Sequence, residues 1–310
     1  PGGAGMSGTA VGESDQPALR AVLIEAFATG PLQGNGAAVV LLDQPAEARW
    51  MQELAASFRQ SETAFLWQRD GGAWCLRWFT PSCEVPLCGH ATLAATLALG
   101  HWGALPPGVE LPLASRSGPL RVCLQGSGAA SLELPGGGLE PLPVPPELEG
   151  LLGAPIARYW GSALGYRVAL LPDSVDLEAL ASPSASLQGP ERQGLVLMQR
   201  SPSSLAERGI TVLGAVPDYQ LRFFAPGLGI DEDPVTGSAH ALVAPWWMEQ
   251  VGRPAVTGWQ CSARRGGMLC EQATAGLVRL SGTGQVLWDG LITAGPSGSD
   301  ADGWQVCRAG

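Results

Sequence analysis

The sequence contains no lysine. Its 310 residues include 18 basic residues, all of them arginine, against 28 acidic ones. Without a lysine amine the chain cannot form a Schiff base with a substrate or a pyridoxal cofactor, and it cannot build a Walker-type phosphate loop. A net charge of −10 also argues against nucleic acid and anionic membranes, because proteins that bind them carry basic patches. We therefore expect neither among its partners.

Metal-ligand patterns and disulfide patterns are also absent. The chain has three histidines and an odd number of cysteines, seven, without a CxxC or HExxH pattern. No charged-then-apolar leader precedes the cysteines, and no apolar run approaches the ~20 residues that span a bilayer. We expect reduced thiols in a cytoplasmic protein with no metal and no membrane span. Residues 1–16, rich in Gly and Ser, are expected to form a flexible tail.

An internal repeat is the most informative feature of the chain. The segment LRWFTP at residues 76–81 recurs as LRFFAP at residues 221–226, and each alternates like a strand before it stops at a proline. Each copy leads into an acidic loop, a glycine (Gly89 or Gly237) and an apolar helix. The offset is 145 residues at the strands and 148 at the glycines. This pattern indicates a gene duplication and two domains.

The two repeated helices lack a polar face. A soluble helix of this kind must be buried on every side, and the simplest enclosure is a sheet wrapped around it. Short strand-like runs in each half, residues 209–216 among them, would supply that sheet. Pro245 is expected to kink or end the regular part of the second helix.

We therefore predict an α+β fold of two duplicated domains, each an antiparallel β-sheet or barrel around a central apolar helix. The predicted domains are residues 17–134 and residues 135–310. A C-terminal strand is expected to cross back to the first domain.

The two helix starts are a candidate site. A helix N-terminus presents free N–H groups and about half a positive charge, so it attracts anions. If the halves face each other about a pseudo-twofold axis, Gly89 and Gly237 converge on one cleft. Such a cleft could hold a small carboxylate and stabilise an enolate-like charge without a cofactor. The alternative is that both glycines only let strand and helix pack closely.

Glu62 and Asn35 also stand in notable settings. Glu62 lies between an amphipathic helix at residues 47–58 and an apolar strand, where a charge is costly unless it is paired or used. This setting suits a general base, although a capping or salt-bridging role fits equally. Asn35, the only asparagine, lies in a Gly-Asn-Gly segment that also fits a turn with positive φ.

Several motifs follow one another between residue 22 and about residue 290. They are GN at 34–35 with AAVV at 37–40, SETAF at 61–65, RWFTP at 77–81 running into EVPLCGHAT at 84–92, and DPVTGSAH at 233–240. In this order and combination they resemble the phenazine-biosynthesis PhzF-like isomerase family. The resemblance implies the diaminopimelate-epimerase fold, with two similar domains that each curl an antiparallel sheet around a central helix.

The resemblance also implies a mechanism that needs no metal and no organic cofactor. In the phenazine enzyme a glutamate moves a proton between carbons of trans-2,3-dihydro-3-hydroxyanthranilate. Glu62 matches that glutamate by its place in SETAF, and we expect it to act as base and then as acid. His90, Asp233 and Ser238 match the other active-site residues, and they would orient the substrate and assist proton movement.

Substrate binding is expected from Gly89, Gly237 and Asn35, with the N–H groups at the helix starts holding a small carboxylate. The resemblance favours a homodimer. The expected activity is therefore that of a cofactor-free isomerase acting on a small, cyclic amino- or hydroxy-carboxylate.

Two other readings remain open. Racemases of the same fold use two cysteines, one at each helix start. Cys88 stands at the first start, but Thr236 stands at the second and cannot serve as a thiol base. The second alternative is a ligand-binding or interaction protein that keeps the fold without catalysis. Retention of Glu62 weighs against it, because binding alone would not require a base.

Overall fold

The computed structural model describes residues 18–126 and 128–296, so the expected tail at residues 1–16 lies outside the described part. The described chain forms seventeen strands and five α-helices. The strands are β1 (Leu19–Ala26), β2 (Asn35–Leu41), β3 (Glu62–Gln68), β4 (Trp74–Phe79), β5 (Glu84–Val85), β6 (Glu110–Ser115), β7 (Gly118–Leu124), β8 (Ala129–Pro135), β9 (Leu139–Leu142), β10 (Arg158–Ser162), β11 (Arg167–Leu170), β12 (Leu195–Arg200), β13 (Tyr219–Ala225), β14 (Ile230–Asp233), β15 (Ala255–Gln260), β16 (Gly266–Gln272) and β17 (Leu277–Ile292). The helices are α1 (Ala48–Phe58), α2 (Gly89–His101), α3 (Pro146–Leu152), α4 (Ser203–Glu207) and α5 (Gly237–Val251).

Eight strands close into a barrel around α2. Their order is β1-β2-β3-β4-β6-β7-β8-β17, and β17 pairs with β1 to complete the circle. Every residue of α2 from His90 to Leu99 is buried. The helix is apolar all round and rich in alanine, so strands can approach it closely from all sides.

The second half repeats the pairing pattern of the first. From β10 through β11, β12, β13, β15 and β16 to β17, the successive pairs are antiparallel, parallel, antiparallel, parallel, antiparallel and antiparallel. From β1 to β8 the sequence of pairs is the same. Helix α5 packs against β8, β9, β15, β16 and β17, as α2 packs inside the first barrel.

The sheets are mixed, which corrects the expectation of wholly antiparallel ones. Each half contains two parallel pairs. In the first half α1 connects β2 to β3, and α2 lies between β4 and β6. A crossover of this kind returns the chain to the same end of the sheet, so the next strand runs parallel to the one before the crossover.

Strand β17 belongs to both halves. It pairs with β16 and β8 near its start, and with β1 from Gly284 to Ile292. Hydrogen bonding is therefore continuous between the halves, and the boundary between residues 134 and 135 stays a prediction.

One local expectation is wrong, and of the two outcomes expected at Pro245, a kink or an end of the helix, the end is wrong. Residues 209–216 form no strand but a turn closed by the single bridge between Val212 and Ala215. Gly209 and Gly214 have positive φ there, which interrupts an extended run. Helix α5 does not end at Pro245 but continues to Val251, where Gly252 caps it in a left-handed conformation. Burial of nearly all of its central turns stabilises the helix despite the missing N–H. Among the described helices, none has both the length and the apolar character needed to cross a membrane.

Candidate active site

The N-termini of α2 and α5 meet. A Cβ atom on Gly89 would lie 3.4 Å from the Cα of Gly237 and 3.2 Å from Leu134. Neither helix has a side-chain cap at its N-cap residue, Cys88 or Thr236, and neither has an acidic residue in its first turn. The first N–H groups of both helices therefore converge without an anionic partner from these segments. Two helix termini of the same polarity make a binding region for an anion such as a carboxylate.

Glu62 and His90 form a buried pair beside these helix starts. Glu62 begins β3 and His90 is the second residue of α2, and their Oε2 and Nε2 atoms lie 3.1 Å apart. The exposed fractions are 8% for Glu62 and 5% for His90. Neither atom has an aligned hydrogen bond within the described part of the chain. Such a pair is poised to exchange protons with a bound molecule.

The protonation of His90 follows from its neighbours. Burial lowers the pKa of this imidazole, but Cys88 and Glu62 outweigh that effect, and the pKa lies well above its usual value. The Cys88 sulfur lies 3.5 Å from Nδ1 of His90, and burial raises the pKa of the Cys88 thiol. His90 therefore lies between Cys88 on one ring nitrogen and Glu62 on the other, and both neighbours favour its protonated form.

Asn35 connects this pair to the second half. Its amide nitrogen donates to Oδ1 of Asp233 at 2.8 Å and to the carbonyl of Val235 at 3.1 Å. Its amide oxygen accepts from the Ser61 hydroxyl at 3.0 Å. The same nitrogen lies 3.3 Å from Nδ1 of His90. Asn35 is fully buried, so these bonds fix its amide in the site.

The turn expected at Asn35 is formed by its neighbour instead. Gly34 has a φ of +82°, and a Cβ atom there would lie 2.4 Å from the carbonyl oxygen of Ala26. Only glycine fits this position. Asn35 itself begins β2 and turns its side chain into the barrel.

Asp233 ends β14 and is held by a second set of bonds. Its Oδ2 accepts from the Thr236 hydroxyl. Burial raises the pKa of Asp233 to about 6, although His90, Thr236 and Asn35 counteract the effect. Gln260 at the end of β15 is fully buried and bridges the same turn. It accepts from the Thr236 N–H at 2.8 Å and donates to the Asp233 carbonyl at 2.7 Å.

Ser238 lies on the other side of the helix starts. It is the second residue of α5, and its hydroxyl is 3.4 Å from the phenol of Tyr166. Sequence reasoning missed Tyr166, Thr236 and Gln260. A buried glutamine at the end of an apolar strand was a usable signal, whereas nothing local marked Tyr166.

The strand register shows that the two halves differ at the site. The repeat aligns Phe79 with Phe224, and these residues pair with Thr63 and Leu195. Glu62, one residue before Thr63, therefore corresponds to Gly194. Ala38 and Arg167 pair with the same two residues, Thr63 and Leu195, so Tyr166 corresponds to Ala37. At the helix starts Cys88 corresponds to Thr236 and His90 to Ser238. Only the first half carries the carboxylate and the imidazole.

Two equivalent ion pairs hold the loops before the helices. Arg77 binds both oxygens of Glu84 at 2.8 Å, and Arg222 binds both oxygens of Glu232 at 2.7 and 2.8 Å. Each pair joins a strand of the repeat to the acidic loop that follows it. Glu84 and Glu232 thus stabilise the two loops. Asp233, in the second loop, is the acidic residue whose side chain reaches the site.

Glu62, Cys88 and His90 could each offer a metal ligand, because these atoms lie within 4.8 Å of one another. However, the glutamate lies at Nε2 of His90 and the cysteine at Nδ1. An ion bound to Nε2 of His90 would therefore lie near Glu62 but have Cys88 on the far side of the ring, and an ion bound to Nδ1 would have Glu62 there. This arrangement departs from a tetrahedral site.

Comparisons with known proteins agree with this architecture. The family model described as phenazine biosynthesis-like protein, PhzC-PhzF, matches residues 24–134 and 200–290. An uncharacterized isomerase of Pseudomonas aeruginosa is 38% identical over 248 residues, which cover 80% of this chain and 88% of that protein. The crystal structure of a PhzF-family phenazine biosynthesis protein of Enterococcus faecalis has a TM-score of 0.77 and 30% identity, covering 89% of this chain and 99% of that one. A hydroxyproline epimerase of Agrobacterium vitis, 11% identical with a TM-score of 0.57 over 89% of this chain and 92% of that one, shares the fold alone.

The fold is thus that of the diaminopimelate-epimerase-like proteins, and the chain is an isomerase. It belongs to the phenazine biosynthesis-like (PhzC-PhzF) protein family. The resemblance and the fold class predicted from the sequence are confirmed.

Proposed function

We propose that the protein is a cofactor-independent isomerase that moves a proton between carbons of a small, cyclic amino- or hydroxy-carboxylate. Its reaction would resemble that of trans-2,3-dihydro-3-hydroxyanthranilate isomerase. The observation that carries the proposal is the buried Glu62–His90 pair at 3.1 Å, beside two converging helix N-termini. This geometry supports a role for Glu62 as a base beside a binding region for an anion.

Each residue has a role in this proposal. The free N–H groups at Gly89, Gly237 and Ser238 bind the substrate carboxylate and stabilise the charge that develops next to it. Glu62 removes a proton from one carbon and returns it to another. His90, which contacts Glu62, orients this carboxyl group and assists the proton transfer.

Asn35 and Asp233 complete the proposed site. The Asn35 amide holds Asp233 against the His90 side of the site. With a pKa of about 6, Asp233 can accept or donate a proton near neutral pH. Ser238 orients the carboxylate from the opposite side.

The asymmetry of the halves favours isomerisation over racemisation. A racemase with two opposed bases needs an acid–base group on each side of the reacting carbon. Here the counterparts of Glu62 and Cys88 are Gly194 and Thr236, neither of which carries an acid–base group at neutral pH. A single carboxylate that removes and returns the proton fits the site better.

Proton NMR in D₂O would test the proposal. Wild type would be incubated with cyclic and linear unsaturated amino- and hydroxy-carboxylates, including trans-2,3-dihydro-3-hydroxyanthranilate. We expect migration of a double bond with deuterium entering one carbon. Glu62→Gln should lower this rate roughly 10²–10⁴-fold, the usual contribution of a positioned acid–base group.

Glu133→Gln is the matched control. Glu133 is as buried as Glu62, with an exposed fraction of 6%, but it pairs with Arg279 away from the site. It should retain the wild-type rate. Equal rates for Glu62→Gln and wild type would contradict the role of Glu62. Inversion at one carbon without double-bond migration would indicate a racemase, and no exchange by folded protein across the panel would indicate the ligand-binding alternative.

We also propose that the protein is a cytoplasmic homodimer that needs no cofactor. Cys75, Cys83, Cys88, Cys123, Cys261 and Cys270 are free thiols, as a reducing compartment requires. Strand β17 exposes Val286, Leu287, Trp288 and Leu291, which gives an apolar surface of the kind a dimer buries. Sedimentation velocity at micromolar concentration would distinguish dimer from monomer.

A further inference from the structure

Tyr166 occupies the place in the second half that Ala37, the strand partner of Glu62, occupies in the first. It precedes β11 directly, and the backbone N–H of its neighbour Arg167 donates to the carbonyl of Gly194 at 2.8 Å. The side chain is only partly buried, unlike that of Ala37. A large aromatic residue thus stands across the helix starts from Glu62, with part of its surface open.

The ring of Tyr166 is fixed by two neighbours. A Cβ atom on Gly194 would lie 2.4 Å from Cδ1 of Tyr166, so the absence of a side chain at Gly194 makes room for the ring. On another side the ring packs against Phe223, with 4.9 Å between centroids and a tilt of 55°. Tyr166 therefore presents a rigid, flat surface whose orientation does not depend on a bound molecule.

The phenol of Tyr166 is directed to the first turn of α5. Its oxygen lies 3.4 Å from the Ser238 hydroxyl, within the region where the free N–H groups converge. Burial raises the pKa of Tyr166, so the phenol keeps its proton and can donate a hydrogen bond throughout the neutral range. Asp233 and Cys88 are close enough to contribute to this effect, which connects Tyr166 to the first-half side of the site.

We propose that Tyr166 is a specificity-determining residue: its phenol donates to the substrate carboxylate beside Ser238, and its ring selects a flat, unsaturated ring over a puckered one. This inference rests on the proposed function, since it assigns a substrate class to the same site. The physical basis is complementary geometry. A planar ring can lie against the open part of the Tyr166 ring, which buried Phe223 supports from behind, with close contact along its length, whereas a saturated ring touches it at fewer atoms.

Binding of two non-reactive probes separates the two roles of Tyr166. Benzoate and cyclohexanecarboxylate carry the same carboxylate on a flat and on a puckered ring. Their affinities would be measured by calorimetry and ligand-observed NMR up to about 10 mM, a range that covers weak small ligands. Wild type should prefer benzoate by about threefold or more, as expected for a small difference in aromatic contact.

Variants at position 166 should change the two affinities differently. Tyr166→Phe keeps the ring, so it should bind both probes about 10-fold more weakly and retain the preference for benzoate, because only the bond to a charged group is lost. Tyr166→Leu should also lose the preference. Tyr159→Phe, which removes the phenol bound to Glu191 outside the site, is the control and should behave as wild type.

Three results would overturn the inference. They are wild-type binding that does not distinguish the probes, affinities unchanged in Tyr166→Phe and Tyr166→Leu, and no benzoate binding by folded wild type. Glu62→Gln separates this inference from the proposed function, since it should bind benzoate with the wild-type preference while losing exchange. If binding depends on Tyr166 but no compound of the panel undergoes proton exchange, the ligand site is supported and the isomerase mechanism is rejected.

Discussion

The amide of Asn35 donates a 2.8 Å hydrogen bond to the carboxylate of Asp233, a residue 198 positions away in the chain. Asn35 begins a strand of the first barrel, and Asp233 ends a strand of the second half. Both side chains are buried. The bond therefore joins the halves at the site itself, and the position of the second-half acid depends on a first-half amide.

We expect Asn35→Ala to destabilise the protein by about 3 kcal/mol, because it leaves buried groups on Asp233, Val235 and Ser61 without a partner. Urea unfolding followed by circular dichroism would measure this. A double-mutant cycle with Asp233→Ala should give a coupling free energy of about 1–3 kcal/mol for residues that share a bond. Strictly additive effects would show that the bond contributes nothing to folding.

The elevated pKa of Asp233 predicts a pH dependence of stability. Burial raises this pKa from 3.8 to about 6, so between these values the folded protein binds a proton that the unfolded chain releases. The contribution of Asp233 to stability is complete below about pH 4 and is lost as the pH rises through 6. The loss amounts to at most about 3 kcal/mol for a shift of two pH units.

Asp233→Asn should remove this dependence. The free energy of unfolding would be measured from pH 4 to pH 7.5 for the variant and for wild type. Relative to wild type, the variant should gain about 1–3 kcal/mol over this range. His90 and Glu62 face the same carboxyl and are present in both proteins, so the comparison largely cancels their effects. A constant difference would contradict a raised pKa. Asp289→Asn, at an exposed ion pair with His101, is the control and should show no such gain.

Much of the fold could be predicted because the decisive signals are local. A helix that is apolar on all sides must be enclosed, and α2 and α5 are enclosed by strands. The repeated hexamers and glycines indicated the duplication, which the equal order of strand pairs reflects. The parallel pairs were missed because the direction of pairing depends on crossovers rather than on residue patterns.

The first-half side of the site was also predictable, since Glu62, His90 and Asn35 lie in short motifs. Tyr166 was not, because strand register brings it to the site from a segment without a motif. Gln260 carried one local signal, its place at the end of an apolar strand, which sequence reasoning did not use. The strand expected at residues 209–216 failed for a related reason. An apolar run becomes a strand only where a partner strand pairs with it, and sequence does not show the partner.

The Arg77–Glu84 and Arg222–Glu232 ion pairs should lose different amounts of stability when their arginines are replaced by methionine. Arg222→Met leaves the partly buried carboxylate of Glu232 without its ion-pair partner, and it also removes donors to the carbonyls of Leu177 and Leu180. The expected loss is about 3–5 kcal/mol, as for other broken buried pairs. Arg77→Met should cost less, because Arg116 lies 3.2 Å from Glu84 and compensates part of its charge. Urea unfolding of both variants would give the order.

A double variant would identify the cause of the loss. In Arg222→Met/Glu232→Leu no carboxylate is left buried, so part of the stability lost in Arg222→Met should return. The unpaired carbonyls of Leu177 and Leu180 would keep the recovery incomplete. Glu232 directly precedes Asp233, so loss of its ion pair should move Asp233, and Arg222→Met should also lower any exchange activity. The double variant should not restore this activity, because it too lacks the ion pair that positions the loop. Full recovery of stability would instead assign the whole loss to the buried charge and none to the carbonyls.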